Sequence, residues 1–286
     1  MRRIMGLALA LMMTVSLANA QRPTGYNLKK GDKFTMTAVI KQDIKQEAMG
    51  QTMTTEQSIS NTDELEVTAV NGDVYTIKLT GIRRAASVQS PMGSTDIDSD
   101  KDGDIHSTMR ILTGKSYSFE MNKMGKVLKV MGVEEMKNAM NQEMSDAGMG
   151  AAADQMLAAY SGDMLKDGLS AQLAFYEGNN GSEWTSKTSS VINTLPVELE
   201  NSYKWDGDRT ILAEAVIDMS GTMERMGTSV KTAMSGDQQT IIDLDVKTGM
   251  PSKIQAIQTV EGNLEAQGMT IPMNIVSETT TTIVKK

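Results

Sequence analysis

The most pointed polar stretch of the chain is Asp96-Ile97-Asp98-Ser99-Asp100-Lys101-Asp102-Gly103-Asp104-Ile105-His106. Asp98, Asp100, Asp102 and Gly103 match the opening of a calcium loop, in which alternate carboxylates wrap a hard cation and glycine allows the sharp turn. Position twelve of such a loop requires a bidentate glutamate and holds Met109 instead, and no helix clearly flanks the run. That departure removes the EF-hand reading. What is left is a looser calcium site on Asp98, Asp100, Asp102 and Asp104, weighed against a plain acidic loop between strands.

Methionine is the second chemical signal, with 25 in the chain. Met136, Met140 and Met144 recur every four residues and so stack on one helical face. A further run from Ala151 carries Met156, Tyr160, Met164 and Leu173 as its apolar points. The unbranched, polarizable thioether suits three tasks: filling a core against the concave side of a sheet, lining a site for an apolar ligand such as a lipid chain, or binding Cu(I). The absence of cysteine, with His106 as the single histidine, speaks against copper and against a conventional zinc site.

Other constellations are weaker. No serine stands in a G-x-S-x-G elbow, so His106 has no evident nucleophile to serve, and no glycine loop of the phosphate-cradling type is present. Carboxylates are plentiful, but which of them share a cleft is a tertiary question. Trp184 and Trp205 stand beside glycine-flanked turns and read as packing anchors, with Trp184 a candidate for lining a ligand site.

These residues hang on two β-rich halves around a helical insert. In the first half, Phe34, Met36, Ala38 and Ile40 alternate with more polar neighbours, which predicts a half-buried strand. Met53–Ile59 and Leu65–Val70 read the same way, and Asn71-Gly72-Asp73 predicts a tight hairpin into Tyr75, Ile77 and Leu79. Tyr117, Phe119 and Met121 start another hairpin that turns at Lys123-Met124-Gly125. The second half repeats this order. Gly31-Asp32-Lys33-Phe34-Thr35 matches Gly181-Ser182-Glu183-Trp184-Thr185, the turn at Gly72 matches Gly207, and the turn at Gly125 matches Gly249. Three matches in one order predict an internal duplication. Ile254–Val260, Met269–Val276 and Thr279–Val284 close the chain as strands, with Pro272 predicting an edge position because it cannot donate to a ladder.

The expected class is therefore α+β, mostly antiparallel: a broad curved sheet from two β-meander halves, with the helices packed on its concave face. The expected division is a signal peptide over 1–20, a first half over 21–132, a methionine-rich insert over 133–178 and a second half over 179–286. Residues 21–286 are expected to form one domain.

Arg2 and Arg3, the apolar stretch Ile4–Leu17 and the Ala18-Asn19-Ala20 site make up that export signal; the apolar stretch is too short to span a membrane. Without cysteine there are no disulfides and no lipid-anchored N-terminal cysteine. Aromatics make up 4% of the chain, too few for the two girdles of an outer-membrane barrel. The expected location is thus periplasmic or secreted, soluble and not membrane-spanning. The net charge of −8 at pH 7 repels phosphate backbones, which argues against nucleic acid as a partner.

The signal peptide, the Gly-Asp-Lys-Phe and Gly-Ser-Glu-Trp openings and the Met-Asn-Lys-Met-Gly-Lys-Val hairpin leading into helices together resemble an exported family of unknown function common in Bacteroidota. The resemblance covers the chain from about Tyr26 onward and brings no catalytic residues with it. At the level of fold alone, a curved sheet over helices is similar to the periplasmic lipoprotein carriers. Three functions follow as expectations. The first is non-catalytic binding of a lipid, another apolar ligand or a partner segment in the concavity, lined by Met136, Met140, Met144, Met156 and Trp184. The second is an adaptor that joins another envelope protein through strand edges. The third is a hydrolase using carboxylate chemistry. No cofactor is expected beyond the calcium that the acidic loop allows.

Overall fold

Alternating patterns become long strands in the computed structural model, which describes residues 22–48, 50–149, 157, 160–192, 195–225, 228–266 and 268–286. The export signal at 1–20 and Met156 lie outside the described residues. Six strands precede the methionine-rich insert: β1 (Lys33–Ala48), β2 (Gln51–Asn71), β3 (Val74–Ser90), β4 (Gly93–Asp98), β5 (Ser116–Asn122) and β6 (Val127–Met131). Six follow: β7 (Glu183–Ile192), β8 (Leu195–Asp206), β9 (Thr210–Arg225), β10 (Thr228–Leu244), β11 (Pro251–Ala266) and β12 (Met269–Lys285). All pair antiparallel in one sheet of order β6-β5-β3-β2-β1-β12-β11-β10-β9-β8-β7, with β4 folded back on the outer half of β3. The fold is α+β and mostly antiparallel.

The two halves meet through β1 and β12, so the first and last strands of the chain pair in the middle of the sheet, Phe34 opposite Lys285 through Gln46 opposite Met273. This register explains Pro272. The strand is not an edge, contrary to the expectation; Pro272 sits one residue past the last β1 partner, where its missing N–H leaves no β1 acceptor unpaired. Met53–Ile59 and Leu65–Val70 also differ from expectation, since they belong to one strand bent by bulges at Thr62/Asp63 and Val67/Ala69. Gly236 and Gly262 let β10 and β11 approach closely: a Cβ on either would stand 1.9 Å from the Thr259 carbonyl oxygen or 2.1 Å from that of Ala233. Glycines and bulges of this kind bend a sheet towards its concave face.

Among the described residues, three helices sit on that face or at its rim: α1 (Ser107–Ile111), α2 (Val133–Asp146) and α3 (Gly162–Leu173). The end of α2 shows its local chemistry. Gly148 takes a left-handed φ of 73°, its N–H donates to Ser145 and that of Met149 donates to Met144, satisfying two carbonyls that the helix leaves open. The Ser161 hydroxyl caps the start of α3 by accepting from the Met164 N–H at 3.1 Å. Helix α3 packs against both outermost strands, β6 and β7, and buries Leu169 and Leu173 in the main core. It therefore spans the gap between the two ends of the curved sheet.

The core concentrates at the sheet end that carries the turns at Gly72, Gly125, Gly207 and Gly249. Tyr26, from the segment before β1, is fully buried there against Phe175 and Tyr176, with ring centroids at 5.8 and 5.3 Å. Its N–H donates to Lys123, its hydroxyl to the Leu173 carbonyl at 2.9 Å, and its carbonyl accepts from the Tyr75 hydroxyl at 2.8 Å. The Tyr176 hydroxyl donates to the Gly249 carbonyl at 2.9 Å. The three tyrosine hydroxyls of this aromatic plug are all paired, so its burial of about 2–3 kcal/mol per ring is not spent on desolvation.

Candidate functional site

Residues directly opposite one another in an antiparallel sheet point to the same face, so the register sorts the concave wall into rows. Nearest the plug runs Thr281, Ile254, Ile242, Ile211 and Trp205. The next row is Thr279, Ala256, Thr240, Ala213, Tyr203 and Trp184, followed by Ser277, Gln258, Gln238, Ala215 and Asn201. Beyond these, Val260, Ile217 and Leu199 belong to a second apolar cluster with Val197 and Met234.

A cavity of about 230 Å3 lies between the two clusters. Its floor is Ile254, Ala256, Thr240, Ile242 and Ala213; Thr279, Thr281 and Gln238 complete the sheet side. Thr188, Leu199, Asn201 and Tyr203 form one wall, and Gly168, Ala171, Gln172 and Phe175 close it from α3 and the turn after it. Gly168, Ala171 and Gln172 are themselves exposed, so the cavity opens beside the helix. Within it the Gln238 amide donates to the Thr240 hydroxyl at 2.9 Å and the Asn201 amide to the Thr188 hydroxyl at 3.2 Å. Burial pushes the Tyr203 phenol above its ordinary value, so it presents a neutral hydroxyl. The arrangement can enclose a small ligand by apolar contact and offer hydroxyls and amides for hydrogen bonds.

Met136, Met140 and Met144 are buried, but away from this cavity, in a satellite cluster with Ile111, Val133 and Leu157. Helical periodicity put them on one face correctly; the face packs on α1 and the β5–β6 end of the sheet. Buried thioethers oxidise slowly. With mild peroxide, Met92, 97% exposed, is expected to become sulfoxide first, while Met140 and Met144, at 1% and 0%, react only after unfolding. Peptide mass mapping of folded and urea-treated protein checks this; equal rates at Met92 and Met144 in the folded protein would contradict the packing.

Trp184 is buried beside the cavity without lining it. Its ring stacks on Tyr203 at 5.2 Å and its indole N–H donates to the Phe175 carbonyl at 2.9 Å, which ties β7 to the turn after α3.

The acidic residues lie elsewhere. Arg83 bridges Asp98 at 2.6 Å and Asp100 at 3.0 Å, and its hydrogen bond to Asp98 holds that carboxyl below its ordinary value. Asp102 and Asp104 are exposed. Among the described residues, no three His, Asp or Glu side chains converge as metal ligands would. His106 is half-buried, and its Nδ1 accepts the Asp98 N–H at 3.1 Å. A short helical segment, Asp104–Ile111, follows the acidic run where its pattern showed no clear helix. Arg84 pairs with Asp63 and donates to the Thr62 carbonyl at 2.9 Å. Burial outweighs that pairing and raises the Asp63 carboxyl above its ordinary value.

The cavity residues escaped sequence reading. Thr188, Asn201, Gln238 and Thr279 sit at inward positions of strands, and only the alternation of their neighbours signals which way they face.

No helix among the described residues is long and apolar enough to cross a membrane. No curated protein matches the chain. Among solved structures, it is similar to lipovitellin, described for its lipid–protein interactions, at 9% identity and TM-score 0.48 over 91% of this chain and 25% of that one. The chain thus spans a quarter of lipovitellin's length. An outer membrane channel from Pseudomonas putida F1 is similar at 6% identity and TM-score 0.32, over 91% of this chain and 97% of the channel. The translocator domain of the autotransporter NalP from Neisseria meningitidis is similar at 6% and 0.23, over 90% and 89%. At these scores neither activity nor ligand transfers to this chain. One match covers most of the chain at the level of family: it belongs to the family of unknown function DUF6263, whose model matches residues 72–251.

Proposed function

We propose that this chain is an exported, non-catalytic binding protein that seats an apolar ligand in the cavity between α3 and the concave face of the sheet. The cavity itself carries the reading. It is concave, walled by Phe175, Leu199, Ala213, Ile242, Ile254 and Ala256, and supplied with a few hydrogen-bonding groups, the usual make-up of a small-molecule site. The outward face supports a protein that works in water: Lys41, Asp43, Glu198, Glu200, Glu214 and Asp218 stand exposed in mid-strand, where a lipid-facing barrel carries apolar side chains.

The test is displacement of a hydrophobic fluorescent dye from the chain beginning at Gln21, with native mass spectrometry of the same protein purified from its own envelope without detergent. The expected result is a dye signal that falls on adding lipid extract, and a bound mass that organic solvent removes. Dye that binds nowhere, or that no extract displaces, would count against a ligand carrier.

A second reading is favoured by β4. Among the described strands it pairs only with β3, so its other edge can take an added strand from a partner. In that case the native mass would be that of a protein complex.

A further inference from the structure

The cavity is lined by sixteen described residues, and not one of them is Asp, Glu, Lys, Arg or His, in a chain that is 22% Asp, Glu, Lys and Arg. Its polar groups are all neutral: Thr188, Asn201, Gln238, Thr240, Thr279 and Thr281 on the sheet, with Gln172 on α3 and the protonated Tyr203 phenol. These hydroxyls and amides are both donors and acceptors. They alternate with Ala213, Ala256, Ile242 and Ile254 rather than forming a separate patch, because adjacent strands place them side by side in the same rows.

Electrostatics turns that lining into selectivity. A carboxylate or ammonium entering the cavity leaves water without meeting an opposite charge, and an unpaired charge in such a place is strongly disfavoured. A purely apolar ligand has the opposite defect, since it strips water from the threonine and amide groups and returns no hydrogen bond. A ligand with an apolar body and one uncharged hydrogen-bonding group meets both demands. Size narrows the class further. Its volume of about 230 Å3 seats a short apolar chain with its polar group, and the rest of a longer ligand would leave through the open side. The exposed Gly168, Ala171 and Gln172 mark an open side through which a ligand can enter.

We infer that the cavity selects a small uncharged amphiphile, an amide or alcohol on a short apolar chain, and excludes fatty-acid anions and amines of the same size. The inference rests on the binding function proposed above and adds the chemical class of its ligand. Asn201 and Gln238 are assigned as the groups that read the ligand's polar end, being the two lining amides held in place by neighbouring threonines at 3.2 and 2.9 Å.

The experiment uses hexanamide, hexanoate and hexylammonium, probes of matched length that fit the cavity, titrated into the chain beginning at Gln21 and followed by protein-observed NMR. Hexanamide is expected to bind roughly tenfold or more tighter than either charged probe. The paired substitutions Asn201→Leu and Gln238→Met, which keep side-chain volume, are expected to weaken hexanamide several-fold with the denaturation midpoint close to that of the parent. Equal affinity for hexanoate or hexylammonium overturns the inference, as does hexanamide binding that neither substitution changes. Dye displaced by lipid extract while hexanamide fails to bind sinks the ligand class and leaves the binding function standing. Failure of dye and probes alike removes both.

Discussion

Replacing Gly125 by alanine is expected to cost about 3 kcal/mol or more of folding stability, while the same change at Gly72 costs about 1 kcal/mol. Both glycines sit in hairpin turns with left-handed backbones, φ 91° and 60°. They differ in what lies above them. Nothing stands within 4 Å of a Cβ built on Gly72, whereas one on Gly125 would lie 1.8 Å from the Leu173 carbonyl oxygen and 2.9 Å from the Tyr26 ring. The first obstacle is backbone at the end of α3, and the carbonyl already accepts the Tyr26 hydroxyl, so neither can yield cheaply. Accommodating the methyl would lift α3 from the plug and expose Leu169, Leu173 and Phe175. Urea denaturation midpoints of the two variants check this. Equal midpoints would mean that the turn after β5 does not bear on α3 as described.

Alanine-to-aromatic substitution at Ala256 tests the cavity directly, and here the expected result is loss of ligand without loss of fold. Ala256 is half-buried and points into the cavity from the middle of β11, opposite Thr240 on one side and Thr279 on the other. A phenylalanine ring there occupies the space that a ligand needs. Because the ring enters existing space rather than a filled core, the usual overpacking penalty of about 1–3 kcal/mol is reduced. Ala256→Phe is expected to weaken dye binding by about tenfold or more, with the denaturation midpoint close to that of the parent. Ala171→Trp blocks the same space from an exposed helical position and gives an independent reading. If both variants fold and bind dye as the parent does, the dye sits elsewhere and the cavity is not the site.

Much of the architecture was legible locally. Alternation at Phe34–Ile40 identified a strand, and the four-residue spacing of Met136, Met140 and Met144 identified a helix and its buried face. Glycine marked turns at Gly72, Gly125, Gly207 and Gly249. The match between the turns at Gly125 and Gly249 gains a physical sense in three dimensions. Both pack against the plug, the first under Leu173 and the second against Gly25 and the Tyr176 hydroxyl. Pro272 and the bulged β2 were misread for one reason: a ladder's extent depends on its partner strand, and the partner is not next to it in the chain.

The sequence by itself thus determined a mostly antiparallel chain with a helical insert, because period-two and period-3.6 burial are properties of neighbouring residues. The tertiary structure decided everything that depends on distant residues meeting. Pairing of β1 with β12 joined the two halves into one sheet, and α3 bridged its outer strands β6 and β7. The same long-range register aligned Thr188, Asn201, Gln238 and Thr279 around one neutral cavity, and turned the methionine face towards α1 instead. Strand register and sheet curvature are set by contacts across the whole chain, so no local pattern of hydrophobicity could have placed that site.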